Sequence, residues 1–144
     1  MKSEKKHYVM MIIEDDESIV RLIRCSIKCF YKNIMVEIIE ANNLEVAEKK
    51  FSEHHSKIDI VLVDGNLGKR GKGGEVILET LPIMEKIVEK RKNNTFKGVA
   101  IAISGDDYSN RDLLHAGCDF AFKKPCGLSS MITEEKLFTL KRKD

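Results

Sequence analysis

Four apolar runs of the chain each end in residues that can handle a phosphoryl group. Carboxylates follow two of the runs, at Glu14-Asp15 and at Asp64, whereas Ser104 and Lys124 follow the other two. If these runs are parallel strands of one sheet, their carboxyl ends meet at one edge, which is where open α/β sheets bind ligands. The sequence therefore predicts that acids, a hydroxyl and an ammonium group converge on one site.

Clustered carboxylates need a positive charge among them, because each pair at ~4 Å repels by about 4 kcal/mol at an effective dielectric constant of about 20. Mg²⁺ takes oxygen ligands and is usually held by one or two carboxylates together with phosphate oxygens. We therefore predict a magnesium ion with Asp15 and Asp64 as direct ligands.

The remaining groups of this cluster suit phosphoryl transfer. Lys124 can neutralise phosphoryl oxygens, and Ser104 can donate a hydrogen bond to one of them. Asp64 is the lone acid at the end of its apolar run, and a carboxylate beside a metal ion can serve as a nucleophile. The predicted product is an aspartyl phosphate on Asp64.

Strand-like and helix-like segments alternate along the whole chain, which is typical of a parallel sheet covered by helices on both faces. The first and third strands are apolar almost throughout, as strands buried on both faces are, and so belong in the middle of the sheet. We predict five strands, at about 8–14, 35–40, 58–63, 99–104 and 119–123, and five helices, at about 19–30, 44–51, 75–92, 110–116 and 128–140.

The stretch that follows Asp64 is less regular. Gly65 to Gly74 is rich in glycine and lysine and predicts a flexible loop over the site. It is not a nucleotide-binding loop, because Lys72 is followed by Gly73 and not by serine or threonine. In the helix predicted next, at 75–92, Pro82 should kink or split the element.

Length and composition indicate one cytoplasmic domain. The 144 residues suit a single domain, with a core at about 8–140 and flexible tails at 1–7 and 141–144. A net charge of +2 gives no reason to expect nucleic acid or membrane partners. The first apolar stretch runs directly into acids at 14–17, which argues against a secretory signal and favours reduced thiols at the four cysteines.

Four motifs together resemble the response-regulator receiver domain, and the resemblance covers nearly the whole chain. They are Ile12-Ile13-Glu14-Asp15-Asp16-Glu17, Asp64-Gly65-Asn66-Leu67, Ile103-Ser104-Gly105 and Lys124-Pro125. The resemblance implies an α/β, flavodoxin-like fold with five parallel strands in the order 2-1-3-4-5. It also implies a signalling domain that phosphorylates itself on one aspartate and loses the phosphate slowly, and not a turnover enzyme.

The resemblance assigns roles to individual residues. Asp64 would accept phosphate from the phosphohistidine of a sensor histidine kinase or a histidine phosphotransfer protein. Asp15, Asp64 and the backbone carbonyl of Asn66 would bind Mg²⁺ directly, and Glu14 would reach it through water. Ser104 and Lys124 would read the phosphoryl oxygens and change the surface of the fourth helix, fifth strand and fifth helix. That surface would bind an unidentified downstream protein or a second phosphorylated copy, and the chain would act as a stand-alone receiver or as part of a hybrid kinase.

The chain departs from the receiver pattern at three places. Gly68 stands where the family usually has proline, and the stretch between Asp64 and Ser104 is longer than usual. Ala121 stands where the family has a switch aromatic, and strand alternation turns the flanking phenylalanines towards the opposite face. The residues for phosphorylation are therefore intact, but the sequence does not predict that a moving aromatic side chain passes the signal to a partner.

Two other functions compete with this interpretation. A receiver-like interaction module that is never phosphorylated would also tolerate Ala121. A phosphatase of the haloacid-dehalogenase type would also combine an aspartyl nucleophile with serine, lysine and magnesium. That class places its nucleophile in a DxD motif at the first strand, whereas the acids at 14–17 do not follow this arrangement.

Overall fold

A computed structural model of the chain describes residues 6–133 and 136–143. The strands are β1 (Lys6–Ile13), β2 (Ile34–Ala41), β3 (Ile60–Val63), β4 (Val99–Ala102) and β5 (Phe120–Ala121). The helices are α1 (Glu17–Phe30), α2 (Leu44–His54), α3 (Leu81–Lys92), α4 (Asp107–His115) and α5 (Cys126–Thr133), followed by a short 3-10 helix (Leu137–Thr139). The predicted alternation of strands and helices is therefore confirmed.

The strands form one parallel sheet in the order β2-β1-β3-β4-β5. The predicted order 2-1-3-4-5 is confirmed. The register aligns the carboxyl ends of the strands, because Ile13 pairs with Ala41 and Val63, and Ala102 pairs with Val63 and Ala121. Residues that directly follow β1, β3, β4 and β5 are thereby brought to one edge of the sheet.

Two hydrophobic cores lie on opposite faces of the sheet, because successive strand residues point to opposite sides. One core joins the sheet to α2, α3 and α4, and its largest members include Met11, Ile13, Phe51, Ile83 and Phe96. The other joins the sheet to α1 and α5, and its largest members include Met10, Ile12, Ile23, Leu62 and Ile101. Every residue of β3 and β4 is buried, which accounts for their almost unbroken apolar sequence.

The last residues of helix α1 differ in their burial from its middle. Ile23 and Ile27 are buried, whereas Phe30 at the end of the helix is 43% exposed. The next residue, Tyr31, packs edge-on against Phe138 and donates its hydroxyl to the carbonyl of Ile132. Tyr31 therefore joins the end of α1 to α5 and to the 3-10 helix that follows it.

The predicted helix at 75–92 is wrong in its first part. Helix α3 begins at Leu81, and Pro82 lies in its first turn. The first backbone N–H groups of a helix have no intrahelical partner, so proline is tolerated there without a kink. Residues 75–80 belong instead to an irregular segment with one antiparallel bridge, between Arg70 and Val76.

The last elements are shorter than predicted. Strand β5 has two residues, and α5 ends at Thr133 within the described residues, with 3-10 geometry at Leu137–Thr139 in place of continued α-helix. Part of the predicted helix, at 134–135, lies outside the described residues.

The ends of the described chain are tied to the fold. The predicted amino-terminal tail included Lys6 and His7, which belong to β1, while residues 1–5 and 144 lie outside the described residues. In the carboxyl-terminal segment, the backbone N–H of Lys143 donates to Asp119 Oδ1 at 2.9 Å.

All four cysteines are free thiols. Across the residues described, no helix combines the length and the apolar character that crossing a bilayer requires.

The position of Pro82 gives a stability prediction. We expect Pro82→Ala to lower the free energy of unfolding by about 1 kcal/mol or less, because it only gives the unfolded chain more conformational freedom. A proline that interrupted a helix would show the opposite sign, and its replacement by alanine would stabilise the protein by about 3 kcal/mol. Urea unfolding monitored by circular dichroism distinguishes the two. Glu85→Pro, at an exposed position inside α3, serves as the control and should destabilise by about 3 kcal/mol.

Candidate functional site

A cavity of about 330 Å³ lies at the carboxyl edge of the sheet. It brings together all six residues that the sequence analysis selected, which are Glu14, Asp15, Asp64, Asn66, Ser104 and Lys124. Its other lining residues are Asp16, Gly68, Arg70, Gly105 and Asp106. The cavity therefore combines an acidic floor with hydroxyl, amide and cationic groups.

The backbone ladder of the sheet positions the acids of this cavity. The N–H of Glu14 donates to the carbonyl of Ala41 at 3.0 Å, and the N–H of Asp64 donates to the carbonyl of Ile13 at 3.0 Å. Glu14 and Asp64 are only 2% and 4% exposed, whereas Asp15 is exposed. Two of the three acids are therefore held as buried groups that continue their strands.

Lys124 connects the acids that follow β1 and β3. Its Nζ atom donates to Glu14 Oε2 at 2.7 Å and to Asp64 Oδ2 at 3.0 Å. Burial of the ammonium group lowers its pKa, but the hydrogen bond and charge of Glu14 and the charge of Asp64 outweigh this effect and raise the pKa above its usual value. Lys124 is therefore a cation at neutral pH.

One ammonium group does not balance the acids around it. Burial, and then the charge of Asp64, raise the pKa of Glu14 to about 8 from an ordinary value of 4.5, although Lys124 acts in the opposite direction. Carboxylate oxygens of Glu14, Asp15 and Asp64 lie within 4.8 Å of one another. Closely spaced carboxyl oxygens of this kind are the donor set that a divalent cation requires, and such a cation would favour the charged form of Glu14.

Asn110 fixes Ser104 on the other side of the cavity. The N–H of Ser104 donates to Asn110 Oδ1 at 2.8 Å, and Asn110 Nδ2 donates back to the Ser104 carbonyl at 2.9 Å. The Ser104 hydroxyl oxygen accepts from the N–H of Asp106 at 3.1 Å, so its own proton remains available for another acceptor. The role of Asn110 was not predicted from the sequence, because a buried amide in the first half of a helix has no distinctive sequence pattern.

Thr80 supports the backbone of Asp64. Its hydroxyl is fully buried and donates to the Asp64 carbonyl at 2.8 Å. The sequence analysis placed Thr80 inside a helix and therefore missed this contact. A threonine two residues before a proline is a signal for a helix start, and that reading would have placed the hydroxyl next to the strand end.

Side-chain hydrogen bonds order the segment 65–80, which we call the site hairpin. Asn66 Nδ2 donates to the carbonyls of Lys69 at 2.6 Å and Ile77 at 2.9 Å. Glu79 Oε1 accepts from the N–H groups of Leu67 at 3.0 Å and Lys69 at 3.1 Å. The glycine-rich sequence predicted a flexible loop, but these bonds between its two arms give the segment a defined path along the cavity.

The residues around Ala121 lie as strand alternation predicts. Ala121 is half-buried and packs against the core of α2, α3 and α4. Phe120 and Phe122 pack against the opposite core, with α1 and α5. The phenylalanines therefore contribute to the core and do not occupy the face on which Ala121 lies.

The hydroxyl of Thr80 can be tested by substitution. We expect Thr80→Val to lower the free energy of unfolding by about 1–3 kcal/mol, because it leaves the buried Asp64 carbonyl without its hydrogen-bond donor. Thr80→Ser keeps the hydroxyl and should retain the hydrogen bond. Urea unfolding of both variants provides the measurement, and an equal or smaller loss in the valine variant would contradict this assignment.

The raised pKa of Glu14 predicts a pH effect on stability. Between pH 4.5 and about 8 the folded chain holds a proton on Glu14 that the unfolded chain has released, so rising pH favours unfolding. In the presence of a chelator, we expect the melting temperature to fall over this range and Glu14→Gln to reduce that fall. Calorimetry in steps of pH provides the measurement. Glu85→Gln, on the exposed side of α3, is the control, and a loss of the pH effect in this variant too would contradict the assignment.

Comparisons with known proteins place this geometry in a known fold. No protein-family model and no curated protein matches the chain. Solved structures do match. The Mn²⁺-bound form of the response regulator Rcp1 has a TM-score of 0.70 at 15% identity, over 95% of this chain and 99% of that chain. A response-regulator receiver domain from Rhodospirillum rubrum has a TM-score of 0.65 at 20% identity, over 93% of this chain and 96% of that chain.

A third similar structure is the phosphorylated cyanobacterial phytochrome response regulator RcpA. It has a TM-score of 0.65 at 17% identity, over 96% of this chain and 99% of that chain. The similarity extends over nearly the full length in each case and includes the strand order described above. The chain therefore has the fold of the response-regulator receiver domains.

Proposed function

We propose that the chain is the phosphoacceptor receiver of a His-Asp phosphorelay and that Asp64 accepts the phosphoryl group. The observation that carries this proposal is the position of Lys124 Nζ between Glu14 and Asp64, beside three carboxylates whose oxygens lie within 4.8 Å. Phosphoryl transfer depends mainly on positioning and charge neutralisation, and this site offers both.

In the proposed reaction, a carboxylate oxygen of Asp64 attacks the phosphorus of a phosphohistidine. The bond between phosphorus and the ring nitrogen breaks as the new bond to Asp64 forms, and the imidazole leaves as a neutral base that carries a proton on its other nitrogen. Lys124 and the Ser104 hydroxyl would contact the phosphoryl oxygens. Thr80 holds the backbone of Asp64 in place, and Asn110 holds the backbone of Ser104.

We propose Mg²⁺ as the metal ion of the site. Asp15, Asp64 and the backbone carbonyl of Asn66 would bind it directly, and Glu14 would reach it through water. A divalent cation bound there would neutralise carboxylate and phosphoryl oxygens during the transfer. The Mn²⁺ in the similar structure of Rcp1 and the excess of negative charge around Glu14 support this proposal.

We also propose that the chain works as a single receiver domain over 1–144 and not as a turnover enzyme. Its phosphate would come from a sensor histidine kinase or a histidine phosphotransfer protein, and slow loss of phosphate would reset it. The proposed location is the cytoplasm, without nucleic acid or membrane partners, and the free thiols agree with a reducing compartment. A downstream protein or a second phosphorylated copy would bind the surface of α4, β5 and α5.

Ala121 favours one alternative function. The small side chain of Ala121 provides no aromatic group on its face of β5, since Phe120 and Phe122 pack on the other face. A domain that binds a partner without being phosphorylated would need no such group. This interaction module is the second candidate function.

Phosphorylation can be tested with a small phosphodonor. With acetyl phosphate and Mg²⁺ we expect intact-mass analysis to show a gain of one phosphoryl group, because the carboxylate of Asp64 attacks the donor phosphorus. Asp64→Asn should abolish the gain, and a chelator should abolish it in the wild-type chain. Asp107→Asn, at an exposed position of α4, is the matched control and should be phosphorylated normally. A wild-type chain that gains no mass would instead support the interaction module.

A further inference from the structure

The site hairpin is joined to the proposed phosphoacceptor at both of its ends. It leaves the sheet directly after Asp64 and returns at Thr80, whose hydroxyl donates to the Asp64 carbonyl at 2.8 Å. Beside this contact, the N–H of Glu79 donates to the Gly65 carbonyl at 2.7 Å. The path of the hairpin is therefore fixed with respect to Asp64.

The tip of the site hairpin is also ordered. Arg70 and Val76 form an antiparallel bridge, and beyond it the N–H of Gly71 donates to the Glu75 carbonyl at 2.9 Å. The arm that leads to Arg70 passes close to the acids. At Gly68, which has φ +104°, an added Cβ atom would lie 3.4 Å from Asp15 Oδ2. The path of the backbone thus places Arg70 in the cavity wall.

The cavity wall carries more acids than cations, and only one of the two cations has ion-pair partners. Five acids line it, which are Glu14, Asp15, Asp16, Asp64 and Asp106, against two cations, Lys124 and Arg70. Lys124 is engaged with Glu14 and Asp64. Arg70 is exposed, and its side chain makes no hydrogen bond or ion pair with any of the described residues. Lys124 is therefore already paired with carboxyl groups of the cavity, whereas the guanidinium group of Arg70 can bind an anion.

We propose that Arg70 is a binding residue for the phosphoryl oxygens, both on the incoming donor and after transfer to Asp64. This inference rests on the proposed function. An aspartyl phosphate adds a doubly charged group with three acceptor oxygens, and the planar guanidinium group can donate two parallel hydrogen bonds to such oxygens. Arg70 contacts the phosphoryl group from the open side of the cavity, while Lys124 contacts it from the buried side. The longer segment after Asp64 thereby supplies a second phosphate-binding cation.

Kinetics with acetyl phosphate and Mg²⁺ test the inference. In this reaction the bond between phosphorus and the acetate oxygen breaks as the bond to Asp64 forms, and acetate leaves with the electron pair. We expect Arg70→Ala to raise the half-saturating concentration of acetyl phosphate about three- to tenfold, because an exposed charge-assisted contact is lost. Arg70→Lys keeps the positive charge but loses the planar group that donates two parallel hydrogen bonds. Its half-saturating concentration should therefore lie between those of the wild type and Arg70→Ala. Lys69→Ala and Lys72→Ala, which alter cations of the same hairpin outside the cavity wall, should behave as the wild type.

A second measurement reports binding without turnover. Phosphorylation should slow amide hydrogen exchange of the site hairpin in the wild-type chain, because Arg70 then ties its tip to the phosphoryl group. Arg70→Ala should abolish this slowing while its melting temperature stays unchanged. If the wild-type chain is phosphorylated and both measurements are the same in Arg70→Ala, the inference is wrong and the proposed function stands. If the wild-type chain is never phosphorylated, both are wrong.

Discussion

The ion pairs of Lys124 with Glu14 and Asp64 are the interaction on which the site depends. They connect residues that follow β1, β3 and β5, which are distant in the chain and meet only when the sheet has its observed order. The ammonium group does not neutralise its partners fully, because burial and the charge of Asp64 still raise the pKa of Glu14 to about 8. The fold thus holds carboxyl groups so close together that Glu14 keeps its proton at neutral pH, and a metal ion or a further cation would favour its ionisation.

The starts of the helices hold the residues of this site in place. Asp16 caps α1 directly after Glu14 and Asp15, Thr80 precedes α3, and Asp106 caps α4. In each case a strand end and a helix start share hydrogen bonds, so the backbone at the cavity has partners for its polar groups. The arrangement explains how exposed loops can hold charged groups at fixed distances.

The sequence predicted the residues of the site better than it predicted their supports. Apolar runs mark buried strands, so Glu14, Asp64, Ser104 and Lys124 could be placed at strand ends, and the resemblance supplied the strand order. Thr80, Glu79 and Asn110 could not be found in this way, because they act by hydrogen bonds to backbone groups whose proximity depends on the tertiary fold. The effect of Pro82 could not be predicted for a related reason, since proline is tolerated in the first turn of a helix but interrupts a helix that starts earlier.

Two of the three departures from the receiver pattern, at Ala121 and in the stretch after Asp64, affect opposite sides of the site. At β5, Ala121 removes bulk from the face where the family has an aromatic side chain, so that face offers little that could change its position with the charge on Asp64. After β3, the site hairpin contacts Asp64 and Gly65 through Thr80 and Glu79. A change of charge on Asp64 acts most strongly on groups in direct contact with it, because the Coulomb energy between charges falls with distance. The hairpin is therefore connected to Asp64 more directly than Ala121 is.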